Sequence, residues 1–524
     1  MTQRIDPRLI HPNSQFFLDF IAHKATDFFA HSMTSLNQIA EARQALPSLR
    51  RRSDVCDVLL TYNKGLAASD ETLASIKHLR DPQTLCVVGG QQACFLGGPL
   101  FVAYKIVSII RTAAWMSLKL DVPVVPIFWL ASEDHDFEEI NHTRWLDDSS
   151  TLRTLAFEWE HHGQAIESLP ITTEVRQAFD EARRKTAFQD AGDAALFSPA
   201  DSDDFSSWHA RIWSRLFSRH GLILIEPRVL RPLAGPFFSR ALSESKAVHE
   251  ALMHGASALQ EHGYSVPLDP EQSGTLFTLS TAGKRRRVDY PDSAMADHSN
   301  GRSAVCYSPD AALRPLLADS LLPSVANILG PSELHYHAML RSLYEQWDIP
   351  QPLAIPRHGA TVITDLEAQL LAHAGLDISQ LLDPEFKSAE SVRHLVSDGL
   401  AEAFTRASER LEEALHPLKE HLSQLDPGLE ARWHQTLEQA QHQVDRLQDR
   451  AMRAELARRG ISVKGLSNLK PLLYPMGKPQ ERVLSSFSFI ARFGVEWIHD
   501  MIARGEPDRF EHQLVILKDS HGSS

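Results

Sequence analysis

Five short runs of apolar, largely β-branched residues constrain the fold more than any other feature of the chain. They occupy 84–88, 122–130, 222–225, 324–329 and 352–355, and each stops at a turn or a polar cluster. Runs that are apolar throughout, without alternation, read as strands buried on both faces. Helical patterns lie between them, after Pro99, around 208–217 and over 332–347. Strands alternating with helices predict an α/β fold with a mainly parallel sheet.

Ligands of such sheets bind outside the carboxyl ends of the strands. The residues that follow the runs are Gly89-Gly90-Gln91-Gln92, Ser132-Glu133-Asp134-His135-Asp136, Glu226-Pro227-Arg228, Gly330-Pro331-Ser332-Glu333 and Pro356-Arg357-His358. Polar side chains gather at these ends, as a site demands.

A chain of 524 residues exceeds what one hydrophobic core normally supports, so two or three structural units are expected. The spacers 145–206 and 242–308 are longer than a crossover needs and read as insertions into a core over 1–385. The second insertion carries 275–279, Gly283 and the basic run Lys284-Arg285-Arg286-Arg287. That pattern reads as a hairpin whose returning strand is a solvated, charged edge, with an anion clamp as the alternative.

From about 404 to 454, within an arm expected over 386–460, the pattern becomes heptadic. Phe404, Leu411, Leu418 and Leu425 recur with Ala407 and Ala414; Leu437, Val444 and Ala451 recur with Ala440, Leu447 and Ala454; Asp426-Pro427-Gly428 separates the sets. An antiparallel helical hairpin is predicted, with Pro417 kinking or dividing its first helix. Two short helices bury only a narrow seam, which makes a second copy of the chain the expected partner. The remaining segment, 461–524, is expected to return to the core.

The net charge of −14, with no basic stripe to offset it, argues against nucleic acid as a partner. No membrane span is expected, since Arg111 and Lys119 interrupt the longest apolar stretch, 106–120. The first twenty residues lack a secretory pattern. Four scattered cysteines, Cys56, Cys86, Cys94 and Cys306, suit a reducing compartment, so a cytoplasmic location is expected.

Three segments carry candidate chemistry. Residues 86–105 read as a strand, a glycine-rich connection through Gly98, and a helix begun near Pro99, whose free N–H groups can hold an anion. Neither a P-loop nor a dinucleotide fingerprint is present, and glycines shaping a turn are the plain alternative. Cys94 reads as a small apolar loop residue, with a thiol nucleophile as the lesser reading. The run Glu133-Asp134-His135-Asp136 can bind an ammonium group, accept a proton from an attacking amine or hold a cation; a helix N-cap is the structural alternative. Glu333 and His337 share a helix face, but no third ligand is apparent and no metal is expected.

Several strings together resemble the cysteine-adding enzyme family of bacillithiol biosynthesis, BshC. They are Gly-Gln-Gln-Ala with Gly-Pro-Leu, the run from Pro126 to His142 containing Glu-Asp-His-Asp, the Gly-Pro-x-Glu-Leu turn at Gly330, and Lys-Pro-Gln-Glu-Arg at Lys478. The resemblance implies a Rossmann-like core related to class I aminoacyl-tRNA synthetases, with connecting insertions and a dimerising coiled-coil arm. It implies a ligase that joins cysteine to the amine of glucosaminyl-malate, with ATP activating the carboxyl. It also implies a pocket of Gly90, Gln91, Gln92, Glu133, Asp134, His135, Asp136 and Glu333, to which position adds Gly89, Gly98 and Glu226. Asp134, His135 and Asp136 are the expected catalytic residues. Cys94 departs from the glycine expected in the family's loop, and the synthetases' His-x-Gly-His and Lys-Met-Ser-Lys-Ser signatures are absent. Two rivals stay open: another ATP-dependent ligase or nucleotidyltransferase on this fold, and a non-catalytic assembly protein working through its hairpin.

Overall fold

The computed structural model describes residues 3–32, 35–44, 51–147, 149–160, 163–186, 190–288, 306–383, 385–503 and 510–518. Parts of both insertions, including 289–305, lie outside the described residues. The chain divides into two compact units, Met1–Thr361 with Lys478–Val515, and Val362–Gly477 with Ile516–Ser524.

All five apolar runs become strands of one parallel sheet in the first unit. In chain order they are β1 (Leu85–Gln91), β2 (Val124–Leu130), β3 (Ile223–Ile225), β4 (Ser324–Leu329) and β5 (Leu353–Pro356). Their spatial order is β5-β4-β1-β2-β3, every pairing parallel. The chain thus starts at the centre, winds outward through β2 and β3, then returns to lay β4 and β5 on the other side. Winding reverses between β1 and β4, which opens a crevice at their carboxyl ends.

Every residue of β2 and β4 is buried, because both faces of the sheet are covered. One cover is α1 (Leu100–Leu120), which packs on β1 and β2. By length and composition α1 could cross a membrane, yet 78% of its apolar window is buried inside the protein, as befits a core helix. On the other face Val55, Leu59, Ile76 and Leu79 meet Val88, Val125, Ile127 and Ile223 in a continuous apolar cluster.

The insertions carry their own small sheets. Strands His142–Leu146 and Leu152–Ala156 pair in the first, and Arg285–Arg287, Leu276–Leu279 and Tyr307–Pro309 form an antiparallel sheet in the second. They are stitched together where the Ala165 N–H donates to Gly283 O and the Arg285 N–H to Gly163 O, at 2.9 and 3.2 Å. Arg285 does not behave as a solvated edge residue: its side chain is 4% exposed, and its guanidinium lies 3.8 Å from the Phe277 ring centroid.

The second unit contains the helical hairpin, α2 (Asp398–Leu425) and α3 (Pro427–Arg458). Helix α2 runs through Pro417 without division. The carbonyl that proline leaves unpaired belongs to an exposed turn, where water can satisfy it. The seam follows only part of the heptad pattern. Leu437, Trp433, Met452 and Leu456 are buried, whereas Leu418, Leu425 and Leu447 are 50, 78 and 60% exposed. A straight helix drifts about 20° per heptad, so a strict seven-residue repeat leaves the contact face within a few turns.

Candidate active site

The crevice between the ends of β1 and β4 is a cavity of about 320 Å³, contained within the first unit. Gly89, Gly90, Gln91 and Gln92 reach it from β1, Asp134 and Glu139 from beyond β2, Gly330 and Glu333 from beyond β4, and Arg357 from beyond β5. Gly89, Gly90 and Gln91 belong to strand β1 itself rather than to a loop. A Cβ on Gly89 would stand 2.8 Å from Ile109 Cδ1, and one on Gly90 2.9 Å from the Trp129 carbonyl oxygen. These glycines therefore admit close packing against α1 and β2.

Four backbone N–H groups at the turn into α1 are already engaged within the protein. The Gly97 N–H donates to Cys94 O, the Gly98 N–H to Phe95 O, the Leu100 N–H to Leu484 O and the Val102 N–H to Pro99 O. Gly98 adopts a left-handed φ of 75° and packs on Cys94, outside the cavity lining. Burial pushes the Cys94 thiol up to about 12, which leaves no thiolate for nucleophilic attack.

Positive charge in the cavity comes instead from side chains, Lys105, Arg314, Arg357 and Arg482. Lys105 is 1% exposed and donates to Glu333 Oε2 at 2.6 Å, Gly90 O at 2.7 Å and Gln91 Oε1 at 3.3 Å. Burial lowers its pKa, against the pull of Glu333. Glu333 Oε2 also accepts the Gly330 N–H at 2.7 Å, so that carboxylate closes the start of its own helix, Pro331–His337. His337 lies buried on the cavity wall, its pKa pushed down by burial to about 4. Arg482 lines the same wall without a hydrogen-bonded ion pair among the described residues, 5.8 Å from the Phe101 ring centroid.

The acidic run after β2 is held together by arginines from distant positions. Glu133 is fully buried, pairing with Arg314 Nε at 3.1 Å and Arg231 Nη2 at 3.6 Å. Burial raises its pKa while those arginines oppose the rise. Asp134 accepts the His135 N–H at 2.8 Å and lies 3.7 Å from both Arg285 and Arg314. Burial alone would raise its pKa, but these donors and cations outweigh it and hold the carboxyl well below the usual range. The His135 side chain is 48% exposed, with Nδ1 3.4 Å from Arg285 Nη1. Asp136 is exposed at the N-cap position of Phe137–Ile140, where its side chain makes no capping hydrogen bond.

Glu226 belongs to a neighbouring buried network. It accepts the Tyr62 hydroxyl at 2.5 Å and Arg228 Nη2 at 2.9 Å, away from the cavity lining. Of the sequence-derived candidates, the structure brings Gly89, Gly90, Gln91, Gln92, Asp134 and Glu333 onto one cavity. Glu133 supports them from beneath, His135 and Asp136 stand at the exposed end of their run, and Gly98 and Glu226 lie elsewhere. Sequence reasoning left out Lys105, Arg314 and Arg482. Lys105 carried a signal, a lone lysine in the second turn of an apolar helix.

Comparison with known proteins adds two family matches. The N-terminal Rossmann-like domain of bacillithiol biosynthesis BshC matches residues 4–358, and the C-terminal coiled-coil domain of BshC matches 360–517. Curated relatives carry the name "Putative cysteine ligase BshC". The protein from Geobacillus thermodenitrificans (strain NG80-2) is 29% identical over 490 residues, 89% of this chain and 90% of the relative. That from Solibacter usitatus (strain Ellin6076) is 26% identical over 529 residues, 97% of this chain and 98% of the relative.

Proposed function

The chain belongs to the BshC family of bacillithiol biosynthesis, and from that premise we propose that it is a ligase forming the amide bond between cysteine and the amine of glucosaminyl-malate. The observation that carries this reading is a cavity at the reversal of sheet winding that presents both charges: Lys105, Arg314, Arg357 and Arg482 with Asp134, Glu139 and Glu333. Both substrates pair a cationic amine with carboxylates, and a site of mixed charge can orient each end separately.

Joining a free carboxylate to an amine requires the carboxylate to be activated. ATP, the cosubstrate we assign, would supply the leaving group. The cationic wall suits a phosphate or carboxylate, with Arg482 as its most available donor. The attacking amine must arrive as a cation and then lose a proton. Glu139 and Asp134 face the cavity with negative charge for the first task, and His135 stands beside Asp134 at the exposed edge for the second. The molecule works in the cytoplasm as a homodimer joined through its hairpin arm.

The test is product formation. Purified protein incubated with ATP, cysteine and glucosaminyl-malate should yield, by mass spectrometry, the amide of the two substrates. Formation of an amide with a different carboxylate or acceptor would redirect the assignment to another ligase of the same fold.

A further inference from the structure

A cluster of metal-capable side chains lies behind the arginine wall of the cavity. His11 follows the short helix Pro7–Ile10, Glu481 lies in the turn Gln480–Val483, and His512 opens the strand His512–Leu517 beside Ile5. One donor atom from each lies within 4.8 Å of the other two, and the residues are 7, 0 and 1% exposed. Three segments remote in sequence thus deliver two imidazoles and a carboxylate to one buried point. We infer that His11, Glu481 and His512 form a binding site for a single divalent transition-metal ion, zinc by the chemistry of its donors.

Two observations support this independently of the clustering. His512 Nε2 is engaged with Thr361 Oγ1 at 2.9 Å, while its Nδ1 is buried and has no hydrogen-bond partner among the described residues. With Nε2 as the donor to the threonine oxygen, the lone pair lies on Nδ1, the arrangement metal-ligating histidines adopt. Gly359 supplies the second observation. A Cβ there would stand 2.7 Å from both His512 Nδ1 and Glu481 Oε2, so these two donors converge on a space that any side chain would fill. The backbone of Gly359 is not left-handed, and room is the reason for glycine at this position.

Arg357 opposes the site and also shapes it. Its Nη2 donates to Glu481 Oε1 at 2.6 Å and its Nη1 to Oε2 at 3.2 Å. Its charge weakens cation binding, while its hydrogen bonds fix the carboxylate's orientation as an outer-shell partner does. Because Arg357 lines the cavity, and Arg482 follows Glu481 directly, an ion here would fix the position of two cavity arginines. Three protein donors leave at least one coordination position for water.

The test uses the full-length protein, stripped with chelator, titrated with zinc against a chromophoric competitor and assayed for bound metal by mass spectrometry. One zinc per chain is expected. His512→Gln and His11→Gln should each weaken binding at least tenfold, and Gly359→Ala should weaken it with both imidazoles retained. Cobalt should give visible d–d bands that His512→Gln abolishes. Circular dichroism of the metal-free proteins separates loss of a ligand from loss of fold. Failure of the wild type to bind zinc, or unchanged stoichiometry and affinity in a folded His11→Gln, His512→Gln double variant, would overturn the site whether or not the ligase reading holds.

Discussion

His209 anchors the turn that follows β1, from a helix, Phe205–Leu216, outside the sheet. The Trp213 indole N–H donates to its Nε2 at 2.9 Å, which places the ring proton on Nδ1, where it donates to the Cys94 carbonyl at 2.8 Å. Burial pushes the His209 pKa down to about 4. Between that value and the ordinary histidine value the unfolded chain binds the proton and the folded chain does not. The stabilisation is therefore complete above about pH 6.5 and is lost as pH falls toward 4, by about 3 kcal/mol in all. Chemical denaturation of His209→Gln across this range should show a shallower fall in stability with acid than the wild type; parallel slopes would place the titration elsewhere. In the chemistry, His135→Ala should lower kcat by about a hundredfold to ten-thousandfold with little change in KM. Arg482→Ala should mainly raise the KM of the anionic substrate it meets, by about tenfold to a hundredfold. Steady-state kinetics on folded variants separates the two roles. The run Glu133-Asp134-His135-Asp136 was legible because so many ionisable groups in a row demand an explanation. Arg231 and Arg314, which neutralise it together with Arg285, were not, because their only link to the run is proximity in space.

At the scale of elements, β1 shows how tertiary packing overrides a local signal. Gly89-Gly90-Gln91 reads as the start of a glycine-rich connection, yet backbone pairing with Phe128, Trp129 and Leu130 extends the strand through all three. The glycines meet Ile109 and the Trp129 carbonyl, neighbours that no local pattern displays. Gly90→Val should accordingly lower the melting temperature, since a Cβ must displace backbone at 2.9 Å. A variant with unchanged melting but lost affinity would restore the direct ligand role. The arm gives the complementary case: its hairpin was legible from the heptads, its exact seam was not. Leu437 is buried within the hairpin, so its replacement by Asp tests the fold of the arm rather than assembly. The exposed Leu418, Leu425 and Leu447 are the informative positions. Changing all three to Asp should convert a dimer to monomers in sedimentation velocity while helicity is retained, and an unchanged dimer would remove these leucines from the interface.

At the scale of the whole molecule, the order of five apolar runs along the chain was enough to read an α/β sheet. The spatial order β5-β4-β1-β2-β3 then explains why the site lies between β1 and β4 rather than at another strand end. The identity of the substrates is legible only through the family, because a cavity of mixed charge suits many amino acids and acidic sugars. The most direct measurement is therefore thiol profiling of a strain lacking the gene, with and without complementation. Deletion should abolish bacillithiol and accumulate cysteine-free glucosaminyl-malate. The wild-type gene should restore the thiol, and a folded His135→Ala, Arg482→Ala double variant should not. Undiminished bacillithiol in the deletion strain, or full rescue by that variant, would contradict the account.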